Sequence, residues 1–142
     1  MDDRSKILIV DDEEVVRRSH LRLLANGERN VETVWNGADA LREMERDTFD
    51  LVLLDLRMPG MDGMSVLKTI KEKWPESEVV VITGYPTVET ATEAIRLGAY
   101  DYLVKPVDPA QVIEVADSAI RQKKWTLHKI GVCGPVHAHP CW

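Results

Sequence analysis

The sequence predicts a doubly wound α/β domain, on three observations. Five short apolar runs recur along the chain, and a segment with one apolar face follows each of them. Several of the runs are apolar throughout rather than alternating, as strands buried on both faces of a parallel sheet are. Strand and helix alternate five times over, the pattern of a parallel sheet with helices on its two sides.

The first run, Ile7–Val10 (ILIV), leads into Glu14–Ala25, which places Val16, Leu21 and Leu24 on one face, and Asn26-Gly27 breaks that helix. Val31–Trp35 (VETVW) is the second strand. Asn36-Gly37 separates it from Ala38–Glu45, a helix with Leu41 and Met44 on one face. Leu51–Leu54 (LVLL) is the third strand, followed after Pro59-Gly60 by Met64–Lys73 with Leu67 and Ile70, which stops at Trp74-Pro75. Val79–Ile82 (VVVI) precedes Val88–Leu97, with Ala91, Ala94 and Ile95 on its apolar face and a stop at Leu97-Gly98. Tyr102–Val104 (YLV) and Pro109–Lys123, with Val112, Val115, Ala116 and Ala119 in register, complete the set. No internal repeat or low-complexity segment interrupts it.

At 142 residues the chain is about one domain long, enough to fill a single core. Lys+Arg 18 against Asp+Glu 24 leaves a net charge of −6 with no long basic run. That balance speaks against direct nucleic-acid binding by this chain, and a site handling phosphate would have to recruit a cation. The amino terminus, MDDRSK, is charged and is followed by only four apolar residues, too few for a signal peptide or a membrane span. The expectation is a cytoplasmic protein with no membrane contact. Both cysteines, Cys133 and Cys141, fall in the last ten residues, so no disulfide framework supports the body.

The polar residues that interrupt the pattern sit at strand ends. Asp11 and Asp12 follow the first strand, Asp55 ends the third, Thr83 the fourth and Lys105 the fifth. In an open parallel sheet the carboxyl ends of the strands share one edge, where ligands bind. Three carboxylates, a hydroxyl and an ammonium therefore converge on one crevice. Carboxylates that close raise one another's pKa unless positive charge lies among them, and one lysine does not balance three. A hard divalent cation is implied, and oxygen-only ligation suits Mg²⁺. With Mg²⁺ there, a phosphoryl group can approach Asp55 as nucleophile while Lys105 and the Thr83 hydroxyl bind its remaining oxygens.

In this order and spacing, ILIVDDEE, LVLLDLRMPGMDG, VVVITGY and YDYLVKP resemble the receiver domain of two-component response regulators over roughly residues 5–122. The resemblance implies a flavodoxin-like domain with five helices and strand order 2-1-3-4-5, taking a phosphoryl group from a histidine kinase onto Asp55. It carries the Mg²⁺ ligands to Asp12, Asp55 and the backbone carbonyl of Arg57, with Asp11 acting through water. Its switch pair falls on Thr83 and Tyr102. Its lysine falls on Lys105, followed by Pro106 across a cis bond. Within the family, TGYPTVETATEAIRLGAYDYLVKP is most similar to receivers of nitrogen-regulation-type transcription activators. The implied partners are a histidine kinase and a downstream effector, with a phosphorylation-dependent homodimer. Such a domain is not a turnover enzyme: it promotes only its own Mg²⁺-dependent phosphorylation and dephosphorylation.

Blander readings exist for each residue. Asp11 or Asp12 can simply cap the following helix, which stabilises by about 1 kcal/mol, but that leaves Asp55 unexplained. Tyr102 taken alone reads as a core aromatic with a wet hydroxyl. Two other functions compete. A haloacid-dehalogenase-like phosphohydrolase also uses Asp, Mg²⁺, Thr and Lys, but places its nucleophile in a D-x-D pattern after the first strand, where this chain has adjacent Asp11-Asp12. A non-phosphorylated interaction module would usually lack an acid or the lysine, and every position here is filled.

The receiver is expected over 1–124 and a tail of separate character over 125–142. CGPVHAHPC holds Cys133, His137, His139 and Cys141 within nine residues, ligand types that zinc or nickel would use. Zinc ligands usually come in two separated pairs, and two prolines stiffen the stretch, so a disordered or tag-like end is the expectation.

Overall fold

The structure, a computed structural model, describes residues 4–133 apart from Pro59, with side chains described as far as Lys123. Each apolar run forms a strand: β1 (Ser5–Val10), β2 (Arg29–Val34), β3 (Leu51–Leu54), β4 (Glu78–Thr83) and β5 (Asp101–Val104). All pair in parallel, in the order β2-β1-β3-β4-β5, with Ile7 opposite both Val31 and Leu51. Between and after them run α1 (Glu14–Leu24), α2 (Gly37–Arg46), α3 (Gly63–Lys73), α4 (Val88–Arg96) and α5 (Pro109–Cys133). This is the flavodoxin-like architecture expected above.

The continuous apolar runs have their explanation in the two faces of the sheet. Leu8, Val10, Val52, Leu54, Val79 and Val81 point to the side covered by α2, α3 and α4, where Met44, Leu67 and Ala94 meet them. Their neighbours Ile7, Ile9, Leu51, Leu53, Val80 and Ile82 point to the side covered by α1 and α5, against Leu24, Val112 and Ala116. A strand residue with no solvent face has no reason to be polar, so alternation disappears. Each such Leu or Ile is fully or nearly fully buried and contributes roughly 1.5–3 kcal/mol relative to an exposed one.

Three details differ from the sequence reading. Trp35 lies outside β2 and is 60% exposed, with the Arg17 guanidinium 5.3 Å over its ring. The buried face of α1 is Arg17, His20 and Leu24, not the stripe through Val16. Helix α5 continues to Cys133, past the end expected at Lys123. No glycine or proline stands between Ala110 and Gly131 to stop it. Gly98, with φ +108, makes the turn after α4. No helix among the described residues is long and apolar enough to cross a membrane.

Candidate functional site

The site residues stand one step beyond the sheet, and the hydrogen-bond ladder reaches out to fix them. The Asp11 amide donates to the Val34 carbonyl at 3.2 Å, the Asp55 amide to the Val10 carbonyl at 2.9 Å and the Lys105 amide to the Thr83 carbonyl at 2.8 Å. Their backbones are thereby held as firmly as strand residues while their side chains are free to face the crevice. Gly63 completes this positioning: a Cβ there would lie 2.5 Å from the Leu56 backbone, so only glycine lets α3 start this close to the loop after Asp55.

Asp11, Asp12 and Asp55 each bring a carboxylate oxygen within 4.8 Å of the others, and they are the cluster of metal-ligating type found among the described residues. Asp11 and Asp55 are buried, whereas Asp12 is exposed. The Lys105 ammonium bridges them, 2.9 Å from Asp11 Oδ2 and 3.2 Å from Asp55 Oδ2. It also meets Glu13 Oε1 at 2.8 Å. Burial works against the charged lysine, but the Glu13 and Asp11 carboxylates outweigh it and hold its pKa well above the ordinary value. The Asp55 carboxyl also titrates above its ordinary value, for a different reason. Burial raises its pKa and the charge of Asp11 adds to this, against the Arg57 amide and Lys105. The Arg57 amide donates to Asp55 Oδ1 at 3.1 Å.

Even with Lys105 among them, these acids carry a surplus of negative charge in a half-enclosed place. An all-oxygen donor set of this spacing fits a hard divalent cation. Beside it opens a crevice of about 630 Å³, lined by Asp12, Asp55, Arg57, Tyr85 and Lys105 among others. Over it the Arg57 guanidinium stacks on the Tyr85 ring at 3.9 Å.

The remaining expected residues divide. Thr83 is only 1% exposed, and its hydroxyl oxygen accepts from the Tyr85 amide at 3.1 Å. Tyr102 takes its hydrogen bond elsewhere than Thr83: its hydroxyl lies 2.7 Å from that of Thr90 in α4. The Lys105–Pro106 peptide bond is cis. The Cys133 side chain, together with His137, His139 and Cys141, lies outside the described residues. Two participants escaped the sequence reading. Glu13 stands in the acidic run but had no stated partner. Arg17 donates to the Asp11 carbonyl at 2.8 Å and so braces the loop after β1; its only signal was a basic residue one turn into an acidic helix start.

A family model, response regulator receiver domain, matches residues 7–117. The chain belongs to the response regulator receiver family. It is 40% identical to the transcriptional regulatory protein ZraR of Salmonella typhimurium over 121 residues, 84% of this chain and 27% of that protein. To the DNA-binding transcriptional regulator NtrC of Escherichia coli it is 37% identical over 117 residues, 82% of this chain and 25% of that one. Among solved structures, NtrX from Brucella abortus in complex with ADP superposes with a TM-score of 0.84 at 33% identity, covering 96% of this chain and 31% of that one. A CheY-like receiver domain protein from Methanospirillum hungatei gives 0.84 at 27% identity, covering 87% and 98%. The chain thus spans about a quarter of the length of the curated relatives it matches. Receiver domains are phosphorylation-activated switches of two-component signalling, and the family match carries that role to this chain over the hydrolase and interaction-only alternatives.

Proposed function

We propose that Asp55 is the phosphoacceptor of this receiver and that Asp11, Asp12, Asp55 and the Arg57 carbonyl hold Mg²⁺ beside it. The observation that carries the reading is the meeting of Lys105 with Asp55 and Asp11 inside a cluster of three carboxylates. Asp55 is assigned as the nucleophile because it lines the open crevice, which Asp11 does not, while Asp12, which also lines it, is committed to the metal. One of its carboxylate oxygens forms the new O–P bond as the bond from phosphorus to the donor breaks, and that electron pair leaves with the donor. From a phosphohistidine kinase the departing group is the imidazole. When bound, Mg²⁺ supplies neutralisation of charge on the phosphoryl oxygens. Lys105 is placed to follow the transferred group by exchanging a carboxylate for a phosphoryl oxygen, and Thr83 to offer its hydroxyl. The main task of the protein is in-line positioning of a charge-spread group.

Because the matched relatives are transcription regulators, the downstream partner is assigned as an effector of that kind, with a histidine kinase upstream. Thr83 and Tyr102 would carry the change to the face formed by α4, β5 and α5, where phosphorylation promotes docking or homodimerisation. Intact-mass measurement after incubation with a small phosphodonor and Mg²⁺ tests the site. One phosphoryl mass should appear, and EDTA during labelling should abolish it. An Asp55→Asn variant that labels as fast and as fully as the parent would sink the assignment.

A further inference from the structure

We propose that Thr90 is the residue through which Tyr102 grips helix α4, so that Tyr102 cannot turn away without loosening the helix's first turn. The inference rests on the reading above, in which the Thr83–Tyr102 side of the domain is its moving part. Helix α4 is weakly anchored: of its nine residues only Ala94 is buried, while Val88 is 78% and Ile95 53% exposed. A helix of that length does not hold itself together in water, so the few contacts it has decide where it sits.

Its first turn is closed by a capping box. The Thr90 amide donates to Thr87 Oγ1 at 3.0 Å, and the Thr87 amide returns a bond to Thr90 Oγ1 at 3.2 Å. The same Thr90 oxygen lies 2.7 Å from the Tyr102 hydroxyl and 2.9 Å from that of Thr87. A hydroxyl has one proton and two lone pairs, and two proton arrangements satisfy these contacts, both with the Thr87 amide donating into Thr90. Either Tyr102 donates into Thr90 and Thr90 donates to the Thr87 hydroxyl, or the Thr87 hydroxyl donates into Thr90 and Thr90 donates to Tyr102. Tyr102 is meanwhile packed against the core on the α2–α4 side of the sheet. The loop before α4 is therefore gripped at both ends, by Thr83 through the Tyr85 amide and by the Thr90–Tyr102 pair. A phosphoryl oxygen that claims the Thr83 hydroxyl disturbs the first grip, and the second decides whether α4 follows.

The test is amide hydrogen exchange at Ala91 and Thr92 in the parent, Tyr102→Phe, Thr90→Val, Thr90→Ser and the Tyr102→Phe/Thr90→Val double variant. Tyr102→Phe leaves the capping box intact and should still speed exchange about three- to tenfold, the worth of one partly buried hydrogen bond. Thr90→Val should speed it further, and Thr90→Ser, which keeps the hydroxyl, should return it to near the parent rate. The double variant should be no faster than Thr90→Val alone, because both remove the same bond. Unchanged exchange in Tyr102→Phe, or effects that multiply in the double variant, overturns the proposal. Phosphoryl labelling of the parent, measured in parallel, keeps the two readings separate: a parent that fails to label refutes Asp55 as acceptor, while the exchange rates alone decide the Thr90 grip.

Discussion

At the edge of the sheet where the strands begin, acids meet cations roughly one for one. Lys123 pairs with Asp50, Lys6 with Asp47, and Lys71 lies 3.7 Å from Glu78. At the opposite edge Asp11, Asp12, Glu13 and Asp55 gather around Lys105. The residue types are the same at both edges, but the proportions differ. Paired charges at the base tie elements together: Asp50 accepts from the Lys6 amide as well as from Lys123 and so joins β1, the start of β3 and α5. At the crevice one lysine holds the loops after β1, β3 and β5 together, and the acids left over create a standing demand for a cation and whatever the cation brings.

Removing an acid should therefore have opposite meanings at the two edges. The largest expected effect is chemical: Asp55→Asn should lose the phosphoryl adduct entirely by intact mass while keeping a cooperative unfolding transition. At the base, Asp50→Ala should cost on the order of 3 kcal/mol in urea unfolding, because it strands a buried ammonium; a loss below about 1 kcal/mol would erase the contrast with the crevice. Asp12→Ala, at an exposed proposed ligand, should weaken Mg²⁺ binding by at least about tenfold with little change in unfolding, whereas Asp11→Ala should weaken it less. Titration calorimetry on both variants checks the order.

The smallest effect concerns pH. Burial raises the pKa of Glu78 above its ordinary 4.5, against the pull of Lys71. The folded state thus binds this proton more tightly than the unfolded chain does, and stability falls as pH rises from 4.5 through the folded pKa. Glu78→Gln should relieve that penalty, raising the melting temperature at pH 7, and the gain should vanish below pH 4.5. A gain that persists at lower pH would have another source.

Much of this was legible in the sequence because burial on two faces leaves an unmistakable trace. The runs at Ile7, Leu51 and Val79 could hardly be anything but interior strands, and once they are strands, Asp11, Asp12, Asp55, Thr83 and Lys105 must share an edge. Trp35 was misplaced into β2 because an aromatic next to a β-branched run looks like more strand; its cation–π contact with Arg17 leaves no trace in a pattern of apolar spacing. The buried face of α1 was misread for a related reason. Arg17 and His20 count as polar in any periodicity, yet Arg17 is needed inside to hold the Asp11 carbonyl. Thr90 was invisible because a threonine early in a helix is ordinary, and only the position of Tyr102, twelve residues on, gives it a partner outside its own capping box.

The backbone bonds that hold Asp11, Asp55 and Lys105 one residue past their strands make the two edges unequal in another respect, the tolerance of the chain to added length. Gly27, in the turn between α1 and β2, has open space around its Cβ position, and extra residues there would lengthen a loop far from the chemistry at a small entropic cost. A single residue inserted between Val10 and Asp11, or between Leu54 and Asp55, would turn a carboxylate to the other side of the pleat. Length variation compatible with a working receiver should therefore accumulate at the turns where strands begin, and stop abruptly where they end.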